Sequence, residues 1–540
     1  MRLTACALLA IAMNTASADI ATIIPHPKEI RAIGKLAPLE GFRIIAHADE
    51  RSQIGASEIN ERIASLGGKP LPVFTLKAPL PTGHAIIIAP CTASEIASEL
   101  KRARIKVTPT DPGEQGYVIQ PVESGANLRI FLVGSDSLGT LYAGVTLRQL
   151  IIKRGDNLFL QLATVRDYPD FKYRQIGTPF CEPLRLNWYE VLKAERKGDI
   201  KRARELAREW VAFQKRYFDW MLRAKINFAW NSTNIRPGDA PDDTTVVRAA
   251  LKEVHEYGLA RGIESMAGDT TAIGTYPQDK DNPDFKGIVL HRAHRRYFCW
   301  SRLEYHRRRA RRAAKWLADA GYTGYFLHST DGGGWQNPEL WNDRCSLCRR
   351  TYRDDRARAD ATVFGIYYRE IKRLIPNIKF VAVVYPYSGR YLDQDYIYEQ
   401  AAAMMGEGET ARKVAQQTVN KLAKFFQRLN ELLPRDIFVC VRECERRHMD
   451  LIRRAWKGRR FHIYYEYAYW KGWRPYFITT PLWTKTLFYP AYKDILYGST
   501  SIIGWNEMTQ LLGAECAWNV NRSGAREFSS WAWRAIGAKL

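Results

Sequence analysis

The feature that most constrains this chain is a rhythm. From Lys172 onward, short runs rich in Val, Ile, Phe and Tyr alternate with longer runs of helical spacing, joined by short connections. Residues 173–177, 226–230, 262–266, 324–328, 379–385, 437–441, 461–465 and 501–505 suit strands. Residues 203–224, 245–261, 303–320, 361–374, 411–433, 445–456, 482–496 and 526–536 suit helices. Eight strands, each followed by a helix, close into a (β/α)8 TIM barrel, which we place at 165–540. An open doubly wound sheet is the alternative, but no glycine-rich fingerprint follows the first strand.

Residues 19–160 have a different pattern. Runs at 41–48, 84–90, 116–122 and 128–134 suit strands, and helical spacing occupies 53–66, 93–103 and 138–151. This is a small α/β domain preceding the barrel. The proline turn in Val165-Arg166-Asp167-Tyr168-Pro169-Asp170-Phe171 joins the two, and the boundary is set just before it.

Ahead of it, Met1–Ala18 carries Arg2, a short apolar run and a small-residue end with Ala16 and Ala18, the plan of a secretory signal peptide. The expected location is therefore secreted or periplasmic. No later stretch has about 18 uninterrupted apolar residues, so no transmembrane helix is expected. Of the nine cysteines, Cys6 falls in this leader. Cys345-Ser-Leu-Cys348 lacks a second ligand pair at zinc-finger spacing, so neither metal nor any other cofactor is assigned. His255-Glu256 lacks the second histidine of a zinc-protease helix. The formal charge of +24 implies a field that attracts polyanions, anionic polysaccharide among them. No motif for a specific nucleic-acid site is present.

In a β/α barrel the chemistry sits where strands end. The expected strands end in Trp230-Asn231, Gly268-Asp269, His328-Ser329-Thr330-Asp331, Tyr385-Pro386-Tyr387, Arg442-Glu443, Glu466-Tyr467 and Trp505-Asn506-Glu507. Asp331, Glu443, Glu466 and Glu507 are the candidate catalytic carboxylates, because glycoside hydrolysis needs one group to protonate the leaving oxygen and another to stabilise or attack the anomeric carbon. Trp230, Asn231, His328, Trp335, Tyr385 and Trp505 are the candidate substrate-binding residues, since aromatic rings offer platforms to the apolar faces of sugars. Taken singly, each carboxylate could instead cap a helix or pair with an arginine. Gly332-Gly333-Gly334 after Asp331 lets backbone approach a ligand, and it lacks the Lys-Ser/Thr ending of a phosphate loop.

Two stretches carry a resemblance. Glu114-Gln-Gly-Tyr117-Val-Ile and Gly134-Ser-Asp136-Ser-Leu-Gly139-Thr-Leu-Tyr142-Ala-Gly144-Val-Thr-Leu147-Arg-Gln149-Leu150 resemble the end of the small zincin-like domain before the barrel of family 20 β-N-acetylhexosaminidases. Family 84 hexosaminidases and α-glucuronidases carry a similar domain. Asp167-Tyr168-Pro169-Asp170-Phe171-Lys-Tyr173-Arg174, Ala224–Phe228, Arg261-Gly262-Ile263 and Gly513-Ala-Glu515-Cys-Ala-Trp518-Asn519 continue the likeness. The resemblance implies substrate-assisted hydrolysis, in which the sugar's 2-acetamido group attacks its own anomeric carbon. One carboxylate orients that amide while its neighbour acts as the acid. Those families place an acidic pair after the fourth strand, whereas here Thr330-Asp331-Gly332 supplies one carboxylate only. Three outcomes stay open: Asp331 works with a carboxylate from another strand, the chemistry belongs to a different glycosidase class such as the α-glucuronidases, or glycan binding persists without catalysis.

Overall fold

The computed structural model describes residues 23–177, 188–230, 237–240, 242, 244–270, 289–290, 296–297, 300–329, 339–342, 344–442, 446–465, 496–502, 511, 514–515 and 517–520. The leader at 1–18 lies outside them.

The first layer is an eight-stranded mixed sheet. Its strands are β1 (Glu29–Pro38), β2 (Arg43–Ala46), β3 (Val73–Thr75), β4 (Ala85–Pro90), β5 (Tyr117–Ser124), β6 (Asn127–Gly134), β7 (Ile151–Arg154) and β8 (Asn157–Asp167), in the order β1-β8-β5-β6-β4-β2-β3 with β7 on β8. The four strands β3, β2, β4 and β6 are parallel, and the rest pair antiparallel. β4 is buried on both faces, so Ala85-Ile-Ile-Ile-Ala89 reads as a continuous apolar run. Helices Glu50–Ser65 and Ser137–Gln149 cover one face, and Ala93, Ile96 and Leu100 close a second core on the other. Val165, Arg166 and Asp167, expected on the barrel side of the boundary, are the last residues of β8 and pair with β1 and β5. β1, β3, β7 and β8 were not expected; β1 and β3 are mostly exposed and show no apolar alternation, whereas β8 is largely buried.

The second layer is a closed parallel barrel. Its strands are β9 (Gln175–Gly177), β10 (Phe228–Trp230), β11 (Glu264–Thr270), β14 (Gly324–His328), β15 (Lys379–Val383), β16 (Phe438–Arg442), β17 (Phe461–Tyr465) and β18 (Leu496–Ile502). A short hairpin, β12 (Val289–Leu290) with β13 (Arg296–Tyr297), falls between β11 and β14 in the chain. Ile502 opposite Ile176 closes the ring. The expected (β/α)8 fold with a preceding α/β domain is therefore what the chain adopts. The last strand, β18, begins at Leu496, five residues ahead of the expected run at 501–505, whose residues from 503 on lie outside the described ones. Gly498-Ser499 reads as a break locally, but pairing of Leu496 to Phe461 recruits the segment.

The sheet and the barrel are joined by buried charge. Lys225 Nζ lies 3.0 Å from Asp167 Oδ2 and donates to the Tyr117 hydroxyl at 2.6 Å, with both charged side chains fully buried. Asp167 also accepts from the Tyr117 hydroxyl, the Trp518 indole and the Lys28 amide. Arg174, equally buried, donates to the carbonyls of Lys225, Phe171 and Lys172 and to Gln115 and Tyr142. Its guanidinium sits 4.9 Å from the Trp518 ring centroid. The motif stretches that carry the family resemblance are thus the parts that dock the two layers. Asp136 caps helix Ser137–Gln149 through Gly139 N at 2.7 Å, and a Cβ on Gly139 would stand 2.0 Å from the Gly116 carbonyl oxygen. Only glycine permits that approach.

Candidate functional site

Alternation along each strand sends every second side chain into the barrel. The interior is therefore built in layers by Phe228, Met266, Phe326, Val381, Val383 and Cys440, all buried together. At the N-terminal end of the strands, Lys379 pairs with Glu264, and its ammonium lies 4.6 Å from the Tyr173 ring centroid. In the middle, His462 Nε2 and Gln175 Oε1 are 2.7 Å apart, bridging β17 and β9. The carboxamide oxygen only accepts, so Nε2 carries the proton. Nδ1 of the same ring is buried with no hydrogen-bond partner. Burial lowers this histidine from 6.5 to about 3, so it is neutral.

The C-terminal rim is where sequence places the chemistry. His328 is the last residue of β14, half-buried, its Nδ1 2.6 Å from the Ser329 carbonyl oxygen. Because a carbonyl only accepts, Nδ1 bears a proton. The ring packs edge-on against Tyr387 at 5.7 Å. Tyr385 is buried, its ring 5.7 Å from that of Tyr387 and 6.3 Å from that of Tyr391, and its amide donates to Ser329 Oγ at 3.2 Å. Both expected binding residues thus stand together at the rim, and Tyr385 acts there chiefly as the base on which Tyr387 rests. Trp230 is the final residue of β10, at the same end of the barrel.

Asp331, Glu443, Glu466 and Glu507 lie outside the described residues, as do Asn231, Trp335 and Trp505. Along the chain, Glu443 directly follows β16 and Glu466 directly follows β17, whereas Glu507 comes five residues after β18. Asp331 comes three residues after β14.

Asp269, expected at the mouth, has another task. Met266 faces the lumen, so Asp269, an odd number of residues on, faces the helix layer. There it accepts from Arg309 Nη2 at 2.6 Å, the Tyr325 hydroxyl at 3.0 Å and the Gly238 amide at 2.7 Å. Burial and the Asp269 charge raise the Tyr325 phenol well above its usual value. His255 is likewise structural: its Nδ1 meets the Ala320 carbonyl oxygen at 2.6 Å, and burial lowers it to about 4. Cys345 caps the short helix Ser346–Tyr352, its sulfur accepting from the Cys348 amide. Among the described residues, no group of three or more His, Cys, Asp or Glu could hold a metal ion, and no helix is long and apolar enough to cross a membrane.

One rim cluster escaped the sequence reading. Asp393 caps helix Gln394–Met405 through the Asp395 amide and lies 3.1 Å from both His448 Nε2 and Arg447 Nε, tying the loop after β15 to the helix after β16. An acid just before a helical run was the available signal for the cap, but its partners are about 55 residues away in sequence.

No protein-family model and no curated protein sequence matches this chain. Solved structures do. A Flavobacterium johnsoniae chitobiase of glycoside hydrolase family 20 is similar over 96% of this chain and 72% of its own, with a TM-score of 0.57 and 11% identity. A family 20 exo-β-N-acetylglucosaminidase from Vibrio harveyi, solved with N-acetylglucosamine, is similar over 96% of this chain and 76% of its own, with a TM-score of 0.54 and 10% identity. The family 84 glycoside hydrolase CpGH84B is similar over 95% of this chain and 73% of its own, with a TM-score of 0.54 and 13% identity. The fold is that of the family 20 and family 84 glycoside hydrolases.

Proposed function

We propose that this chain is an exported glycoside hydrolase that cleaves amino-sugar-containing or acidic glycans at the C-terminal mouth of its barrel. The observation that carries the reading is the closed parallel barrel whose strand ends bear His328, Ser329, Tyr385 and Tyr387 and are followed in the chain by Asp331, Glu443 and Glu466. His328 suits a hydrogen bond to a sugar hydroxyl, and the Tyr387 ring offers a face for stacking. The similar structures, described as a chitobiase and an exo-β-N-acetylglucosaminidase, support the amino-sugar class. Asp331 is assigned as one catalytic carboxylate, with Glu443 and Glu466 as the foremost partners because each follows its strand directly. Glu507 is a further choice. A retaining displacement would place the two carboxyl groups about 5 to 5.5 Å apart, and an inverting one about 6.5 to 9.5 Å.

The test is hydrolysis of a panel of aryl glycosides, N-acetylhexosaminides and glucuronides included, by wild type and Asp331→Asn. Release from one substrate should fall roughly a hundred- to ten-thousand-fold in the variant. No release from any substrate, with glycan binding intact in both proteins, would favour the second reading. That reading is a non-catalytic glycan-binding protein, motivated by the single carboxylate of Thr330-Asp331-Gly332.

A further inference from the structure

Cys345-Ser-Leu-Cys348 forms the first turn of helix Ser346–Tyr352. Cys345 is the N-cap and Cys348 the third helical residue, and both stand as thiols. Cys345 Sγ folds back over the helix and accepts from the Cys348 amide at 3.4 Å, so it is already turned toward residue 348. The rise and rotation of a helix put the Cα atoms of residues three apart about 5 Å from each other. A disulfide spans about 4.4 to 6.8 Å between Cα atoms, so the backbone of this turn suits the bond.

The two sulfurs differ in access. Cys345 is half-buried, with exposed Ser346 and Leu347 beside it, whereas Cys348 is 1% exposed. Cys348 Sγ accepts from the Ser301 hydroxyl at 3.2 Å, and Tyr352, one turn on, donates to the Trp300 carbonyl oxygen at 3.2 Å. Trp300 packs edge-on against Trp341 with ring centroids 5.4 Å apart, and Arg344 Nη1 donates to the Trp341 carbonyl oxygen at 2.7 Å. Trp300 and Ser301 lead into helix Leu303–Asp319 after β11, and the segment from Trp341 to Tyr352 leads toward helix Arg356–Leu374 after β14. The cysteine turn therefore sits where the chain returns from two successive strand-end connections, the second of which carries Asp331.

We propose that Cys345 and Cys348 are a redox modification site, closing to a reversible disulfide with a small-molecule disulfide as the oxidant. The half-buried Cys345 gives its proton to water, and its thiolate attacks one sulfur of the reagent, which releases one reagent thiolate and leaves a mixed disulfide on Cys345. Cys348 then gives up its proton and attacks the Cys345 sulfur, and the second reagent thiolate departs. One reagent disulfide is reduced to two thiols, two protein thiols are oxidised to one disulfide, and the departing thiolates take up the two protons released. Burial keeps the reagent from Cys348, which fixes the order: Cys345 is attacked first and Cys348 resolves. Closing the bond pins the turn beside the Trp300–Trp341 contact and so fastens the return of the connection that carries Asp331. The pairing requires no catalysis at the mouth, so it stands or falls apart from the hydrolase reading.

The experiment treats the full chain with glutathione disulfide, alkylates it and digests it with trypsin, which cuts after Arg344 and Arg349 and so keeps both cysteines in one peptide, 345–349. In wild type that peptide should appear unalkylated and lighter by about two hydrogens, and dithiothreitol should restore alkylation of both cysteines. Cys348→Ser removes the resolving thiol and should trap glutathione on Cys345, at a yield at least about tenfold above that on Cys348 in Cys345→Ser. Serine preserves the helix cap in Cys345→Ser, and thermal melting confirms that both variants are folded. Alkylation of both cysteines in the oxidised wild type would overturn the proposal. So would a cross-link between peptide 345–349 and peptide 297–302, which holds Cys299, or equal glutathione addition in the two variants.

Discussion

Acid should weaken this barrel through one histidine in its centre. His462 donates Nε2–H from β17 to Gln175 on β9, across β18, and its Nδ1 has no hydrogen-bond partner. The folded form therefore titrates at about 3, against 6.5 for the exposed ring. Lowering a histidine's value means that the unfolded chain binds the proton first. Stability is thus fully present above about 6.5 and is lost progressively as pH falls toward about 3. At about 1.4 kcal/mol per unit, the loss from this group reaches about 2 to 3 kcal/mol by about pH 4.5. His462→Gln supplies an amide N–H in place of Nε2–H and does not titrate. Urea unfolding followed by tryptophan fluorescence, at about pH 7.5 and about pH 4.5, should show the variant losing about 2 to 3 kcal/mol less than wild type over that interval. His255, lowered to about 4, contributes equally to both proteins and cancels in the comparison. Identical pH dependence in the two would refute the argument that this ring is held neutral by burial.

Two further perturbations test how the layers are joined. Gly139→Ala would drive a methyl group to 2.0 Å from the Gly116 carbonyl oxygen, backbone against backbone, and should cost about 1 to 3 kcal/mol or more, read as a lowered melting temperature. Lys225→Met strands the Asp167 carboxylate in a fully buried site and should cost about 3 to 5 kcal/mol by urea midpoint. Adding Asp167→Asn to Lys225→Met should recover part of that loss, and a strictly additive double variant would show that the two charges do not act as a pair.

The rhythm of apolar runs was sufficient to read the barrel, because each strand lies between a packed lumen and a helix layer and so must be written in β-branched and aromatic residues. Residues 324–328 and 461–465 were legible to the residue for that reason. The sequence by itself also determined which residues follow the strands, since that needs only the strand ends, and it carried Asp136 and Gly139 within the stretch that resembles the family 20 domain. Tertiary structure decided the rest. β1 and β3, mostly exposed, are strands only because neighbouring strands pair with them. β18 takes its register from β17, which brings Leu496 into the strand ahead of the expected run. Asp269 and His462 both sit an odd number of residues after their strand starts, yet one faces a helix and the other the lumen, because the face is set by register and not by residue type. The Lys225–Asp167 and Arg174–Gln115 contacts join residues about 58 and 59 positions apart. Such pairings follow from how the sheet docks on the barrel, and no local pattern in the chain encodes them.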